Sequence, residues 1–139
     1  MEVGEIYYGH LSSMDPPKNK FFVLAGIELN QNIVILAIVG SELEMAAIKS
    51  RDLRNMMVGM DVSDYACLRH TSKLNCSKVV NKELTEVQSH INSGQFTKTG
   101  TLRTIHKKKM IEFLLKSPRV PPAYKDIIKG ETPTLIEFK

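Results

Sequence analysis

Residues Ile33 to Val39 are an uninterrupted run of seven apolar side chains, bounded by Asn30-Gln31-Asn32 before it and by Gly40 after it. A short, β-branched run with no polar face reads as a strand covered on both sides, and therefore as a central strand. The Asn-rich segment ahead of it is turn chemistry, because Asn tolerates left-handed φ. It should fold the run back onto a second strand, Lys20 to Leu29. A first strand is predicted over Val3 to Leu11, where Ile6, Tyr7 and Tyr8 follow Gly4. Ser12 to Asn19 contains Asp15-Pro16-Pro17 and is expected to be a loop, since proline removes the backbone donor a ladder needs. Together these segments predict an antiparallel meander with a long first loop and a short second one.

Strand side chains alternate faces, so one member of each pair Tyr7-Tyr8 and Phe21-Phe22 should be core and the other more exposed. The predicted core is Ile6, Phe22, Val23, Leu24, Ile33, Ile35, Ala37 and Val39, in a barrel of about five strands, with Ile35 and Ala37 almost inaccessible. Further on, Ser41 is a good N-cap with Glu44 three residues later, so a helix is expected there, broken by Gly59. Tyr65 to Arg69 and Ser77 to Val80 are short β candidates joined by a loop over His70 to Asn75. Glu83 to Ile91 reads as either a helical turn or a last strand edge, ended by Asn92-Ser93-Gly94.

Thr104 to Lys116 carries the clearest helical spacing, with Ile105, Met110, Ile111, Phe113, Leu114 and Leu115 forming one broad apolar stripe. Thr104 is the expected N-cap, and Pro118 stops the helix. Pro121 and Pro122 can start a second short helix running to Lys129, with Tyr124, Ile127 and Ile128 turned inward. Strands first and helices last predict an α+β domain, a small SH3-like antiparallel β-barrel with C-terminal helices. The whole chain, 1–139, is read as one domain, with a barrel over about 3–97, a helical part over about 101–129 and a tail over 130–139.

The composition fits that size. With 42% apolar and 24% charged residues, the 139-residue chain is globular, neither disordered nor fibrous. The longest apolar run falls far short of the roughly 20 residues of a membrane span, so no membrane association is expected. Met1-Glu2-Val3-Gly4-Glu5 lacks the positive region and apolar run of a secretory signal, which points to a cytoplasmic chain. Cys67 and Cys76 make no C-x-x-C and are expected as reduced, buried thiols. His10, His70, His90 and His106 are scattered, without metal-ligand spacing. There is no Gly-rich phosphate loop, H-E-x-x-H or G-x-S-x-G motif. The expectation is no cofactor and no metal, with any catalysis built from Lys, Arg, Ser, Thr or His.

Charge is unevenly placed. Lys98 to Lys129 holds nine bases against two acids, while the rest of the chain has ten bases against thirteen acids. A basic C-terminal third suits phosphate backbones or acidic proteins; it is also what a solvated helix face looks like.

Several short motifs, taken in order, resemble the MazF/PemK-type toxin family of small SH3-like barrels, often called plug domains. Gly4-Glu5-Ile6 stands where members open with a Gly-Asp-Ile/Val strand. Lys18-Asn19-Lys20-Phe21-Phe22-Val23-Leu24 corresponds to a strand headed by Lys/Arg-Arg-Pro, and Ile38-Val39-Gly40-Ser41-Glu42 to the end of the next strand. His70-Thr71-Ser72-Lys73-Leu74-Asn75-Cys76-Ser77 is similar to a His-Asp-Ser-Tyr-containing stretch of distant members, and Gly100-Thr101-Leu102 to the lead of their helix. The resemblance spans roughly residues 3–117.

It implies a homodimeric, metal-independent endoribonuclease of a toxin–antitoxin-like system, held by an antitoxin. The implied chemistry is attack of an RNA 2′-hydroxyl on the adjacent phosphorus, with a cation stabilising the charge that builds on the phosphorane. Lys20 stands at the family Arg position and Gly40 at the family Thr position, which leaves Ser41 to supply a hydroxyl. Lys20 and Ser41 are therefore the catalytic candidates. Lys18 beside them, with Arg103, Lys107, Lys108 and Lys109 in the basic third, are the candidates for holding RNA. Lysine is a point charge and a poorer bidentate clamp than arginine. The competing reading is a non-catalytic barrel, encoded by a phage or mobile element, that binds a host protein or nucleic acid through its basic C-terminal third.

Overall fold

A computed structural model describes residues 1–12, 18–41 and 51–130, apart from the side chains of Ser41, Asp52 and Leu53. The expected helix beginning at Ser41, the Pro-containing centre of the first loop and the tail after Gly130 lie outside these residues. Among the described residues there are seven strands: β1 (Glu5–Leu11), β2 (Lys18–Glu28), β3 (Ile33–Ser41), β4 (Met57–Met60), β5 (Ser72–Asn75), β6 (Val80–Glu83) and β7 (Phe96–Thr101). The helices are a single turn, α1 (Arg51–Arg54), then α2 (Leu84–Asn92), α3 (Thr104–Lys116) and α4 (Pro122–Lys129). The chain is α+β: a curled, wholly antiparallel sheet forms a half-barrel, with two of its helices at the C-terminal end.

The predicted meander is present. Tyr7 pairs with Phe22 and Phe21 with Val39, and the sheet runs β4-β5-β3-β2-β1-β7. β3 is long enough to hold two partners along one edge, β6 against Ile33–Leu36 and β5 against Val39–Ser41. The β2–β3 turn places Asn32 at φ 56°, the left-handed conformation anticipated for this segment. The same residue anchors α2. Its Oδ1 accepts the Thr85 N–H at 3.0 Å, and its carbonyl accepts the Leu84 N–H at 3.0 Å.

β2 and β3 are covered on both faces. On one face Phe22, Leu24, Val34, Leu36 and Ile38 pack with Tyr7 and Leu11 beneath Leu84 and Val87 of α2, with Phe96 beside them. On the other, Ile6, Val23, Ile35, Ala37 and Val39 pack with Met60 and Leu74 beneath Met110 and Leu114 of α3 and Ile127 and Ile128 of α4. Ile35 and Ala37 are fully inaccessible, as expected; Ile33, at the strand start, is only half-buried. A bulge between Leu24 and Gly26 resets the register, and Gly26 brings α4 close: a Cβ there would stand 3.1 Å from Ile127 Cγ2.

Several local expectations are corrected. Tyr65 to Arg69 is a series of turns, and the strands lie at Ser72–Asn75 and Val80–Glu83. The turns form because Asp61 accepts locally: its carboxylate takes the Ser63 N–H, and its carbonyl takes those of Asp64 and Tyr65. Gly59 does not break a helix; it lies within β4, where a Cβ would meet open space. β7 went unforeseen because Phe96-Thr97-Lys98-Thr99 shows one apolar residue only, and the strand is set by pairing with β1. With β5, β6 and β7 the sheet has seven strands where about five were expected. Of the segment Glu83 to Ile91, Glu83 ends β6 and caps the helix, and the rest is helical within Leu84–Asn92.

α3 spans the predicted residues, but Arg103, not Thr104, is the N-cap, and no side chain caps it. Its buried stripe is Met110 and Leu114, with Ile111 and Leu115 half-buried and Ile105 58% exposed. The α3–α4 junction is tied to the sheet by buried polar groups. The Ser117 hydroxyl donates to the Ser77 carbonyl, and Asn75 Oδ1 accepts the Ser77 hydroxyl at 2.6 Å and its N–H at 2.9 Å.

Leu114→Ala should lower stability by about 2–5 kcal/mol, because it opens a cavity in a fully buried layer. Urea unfolding measures it, and a loss below about 0.5 kcal/mol would mean that α3 is a surface helix.

Candidate functional site

The exposed members of the two aromatic pairs meet. Tyr8 and Phe21 are cross-strand partners, with ring centroids 4.6 Å apart and planes tilted by 52°. Their partners Tyr7 and Phe22 are buried on the opposite face, as alternation predicted. Tyr8 is 38% exposed and Phe21 half-buried, so both rings border solvent at the end of the sheet.

They form one wall of a cleft of about 550 Å³. Asn19 and Lys20 of β2 and Gly40 of β3 continue that wall, and the segment Cys67–His70 with Ser72 forms the other. A second hollow of about 610 Å³ shares Tyr8 and Asn19 with the first and extends past His10 towards Gln95 and His90. His10 Nδ1 lies 3.3 Å from Asn19 Oδ1, close enough for that nitrogen to donate to the amide oxygen. Gly9 is required between the hollows and the core, since a Cβ there would collide with the Phe96 ring. His90 stacks edge-on to Phe96 at 4.8 Å, and its Nδ1 is buried without a partner.

Of the residues singled out from the sequence, Lys20 lines the cleft, paired with Gly9 in β1. Ser41 ends β3 opposite Ser72. Continuing the Phe21–Val39 register puts Lys20 level with Gly40 and Asn19 level with Ser41. Alternation turns Lys18 and Lys20 to the sheet face shared with Phe22, and Asn19 and Phe21 to the other.

The basic third is not part of this site. Lys107 packs at Gly4, at the start of β1, whereas Lys18 pairs with Leu11 at its end. Seven strand residues separate those positions, about 23 Å. Arg103 is held by Asp64 at 2.6 Å, and Lys108 and Lys109 are exposed. Arg69, His70 and Asn19 are polar residues of the cleft that the sequence did not single out as functional, nor did it single out the Tyr8 and Phe21 rings. The only signal was that His70 opens the His70-to-Ser77 motif; its approach to Lys20 is a property of the fold.

The segment that carries Arg69 and His70 is fastened to α3. The Tyr65 hydroxyl donates to His106 Nδ1 at 2.6 Å and accepts the Arg103 N–H at 3.0 Å. Burial raises the Tyr65 pKa and lowers that of His106, so His106 is held as the neutral acceptor this bond needs. At the far end of the sheet Glu5 is 9% exposed. Burial pushes its carboxyl up, but the Glu2 N–H, the Tyr7 hydroxyl and Lys98 outweigh that and bring it down to about 2.

Among the described residues no three His, Cys, Asp or Glu side chains converge as metal ligands, and no helix is long and apolar enough to cross a membrane.

Two outcomes follow. The folded chain binds the His106 proton more weakly than the unfolded chain. Stability present above about pH 6.5 should therefore fall as pH drops through the folded-state value. Thermal midpoints from pH 7.5 to 5 measure this, and an equal slope in His106→Gln would remove His106 as its cause. Burial also pushes the Cys76 thiol up, whereas Cys67, expected to be buried as well, is only half-buried because it lines the open cleft wall. A disulfide reagent should titrate one thiol in the native protein and two in denaturant; two reactive native thiols would contradict the packing around Cys76.

Comparison with protein-family models gives no match, and comparison with curated proteins gives none either.

Proposed function

We propose that this chain binds single-stranded RNA in the cleft at the Tyr8–Phe21 end of the sheet, as a divergent barrel of the MazF/PemK-like kind. The observation that carries the reading is the pairing of two solvent-bordering aromatic rings with Arg69 around one open cleft, whose rim Lys20 reaches from the neighbouring backbone. Stacking planes beside cations are what an unpaired strand needs: bases lie on the rings and phosphates meet the charges. Duplex is disfavoured, because its bases are already stacked and cannot reach the rings. In this reading Lys20 and Lys18 border the strand's path, and Ser41 ends β3 at the same end of the sheet. Metal-independent cleavage, an antitoxin and a homodimer are further expectations of the resemblance, and the same cytoplasmic RNA pool would be the target.

Fluorescence anisotropy with a labelled single-stranded RNA in EDTA tests the reading. Tyr8→Ala should weaken binding by about 1–3 kcal/mol, the value of one stacked base. Arg69→Gln should reduce the dependence of log affinity on log salt by about 0.7. Lys108→Gln with Lys109→Gln should change affinity less than Tyr8→Ala, because those lysines lie outside the cleft. Equal affinity for Tyr8→Ala and the parent would place the RNA elsewhere.

A further inference from the structure

The cleft wall that carries Cys67, Arg69 and His70 is a segment with few attachments. Residues 61–71 leave the sheet at Met60 and rejoin it at Ser72, which pairs directly with Met60, and they form no helix or strand between. Their backbone bonds are local: Asp61 accepts from Asp64 and Tyr65, and Tyr65 accepts from Leu68. Only Tyr65 and Leu68 of the segment are buried. Its polar contacts with α3 meet at the start of that helix. Asp64 holds the Arg103 guanidinium at 2.6 Å. The Tyr65 hydroxyl accepts the Arg103 N–H at 3.0 Å and donates to His106 Nδ1 at 2.6 Å, with the two ring centroids 5.7 Å apart.

We propose that the Tyr65–His106 bond is a proton-operated latch: protonation of His106 frees residues 61–71 from α3 and loosens the cleft wall that bears Arg69 and His70. The latch acts on the wall itself and does not rest on the RNA-binding reading. The Tyr65 hydroxyl has one proton to give, and among the described residues His106 Nδ1 is the acceptor it meets. A proton on Nδ1 sets donor against donor, and a buried hydroxyl loses its acceptor. The new charge also stands in the first turn of α3, at the positive end of the helix dipole. Arg103 and Lys109 oppose it, and Asp64, which favours it, is already engaged by Arg103. Cys67 is the other titratable group near Tyr65. β4, which packs on α3, brings no titratable side chain within Met57–Met60. Tyr124, Lys125, Asp126 and Lys129 of α4 are not among the groups acting on the ring. Released into water, the imidazole takes a proton more readily than in its buried, latched position, so acid shifts the wall towards the open form. Opening begins as pH falls through the ordinary histidine range, about 6.5.

The test is amide hydrogen exchange of the full chain at pH 7.5 and 5.5, read by mass spectrometry. Parent and variants are compared at equal pH, so the pH dependence of exchange chemistry cancels. His106→Asn keeps an acceptor near the Nδ1 position and takes no proton; Tyr65→Phe removes the hydroxyl and keeps the ring. At pH 5.5 residues 61–71 should exchange about tenfold faster in the parent than in His106→Asn, the effect of losing one hydrogen bond. At pH 7.5 those two should coincide, and Tyr65→Phe should exchange faster than both. Amides of β2 and β3, such as those of Phe22 and Ala37, should keep their protection throughout. The rate at which a disulfide reagent modifies Cys67 should follow the same ratios. Equal exchange in parent and His106→Asn at pH 5.5 overturns the latch, as does parent-like exchange of Tyr65→Phe at pH 7.5. Loss of protection in β2 and β3 together with residues 61–71 overturns it as well, because the event is then global unfolding. If His106→Asn does not fold, the parent must approach the Tyr65→Phe rate as pH falls; a constant ratio between them overturns the proposal.

Discussion

The pairing of β2 with β3, buried on both faces, is the constraint from which the remainder of the structure follows. A strand with no polar side chain cannot face water, so each of its two surfaces needs its own cover. α2 supplies one, through Leu84 and Val87, and the α3–α4 pair supplies the other, through Leu114 and Ile128. The sheet must also curl, because β3 takes β6 and β5 in succession along one edge.

Polar groups decide where those covers sit. Asn32 fixes the turn into β3 and, through its side chain and carbonyl, the first turn of α2. Ser117, Ser77 and Asn75 tie the break between α3 and α4 to the loop after β5. Tyr65 receives the Arg103 N–H and gives its own proton to His106, which locks the start of α3 to the turns after β4. A buried polar group left without its partner costs more than the bond itself contributes, so these links specify geometry more than they add stability.

The cleft lies where this arrangement stops. Among the described residues no helix covers the sheet at the Asn19 end of β2, and side chains that alternate towards the core border solvent there. Tyr8 and Phe21 continue the core face of Ile6 and Val23 beyond its cover. The turns held by Asp61 and Tyr65 then bring Arg69 and His70 to the opposite wall. The rigidity of the cleft is thus borrowed from the core and from the Tyr65 link to α3.

What the sequence determined alone was whatever depends on local pattern: the meander, the burial of Ile35 and Ala37, the α3 and α4 spans, and that one member of each aromatic pair turns outward. Those features follow from periodicity and turn chemistry, which neighbouring residues carry among themselves. β5, β6 and β7 were misplaced or missed because short polar strands such as Phe96–Thr101 have no pattern of their own and exist by pairing. The spatial grouping of charge was not legible for a similar reason. Lys107 and Lys18 share one sign but stand at opposite ends of β1, and linear charge density carries no information about sheet direction. Likewise Tyr8, Asn19, Arg69 and His70, far apart in the chain, line one cleft only because β1, β2 and the turns before β5 come together, a property of long-range register that only the tertiary structure decides.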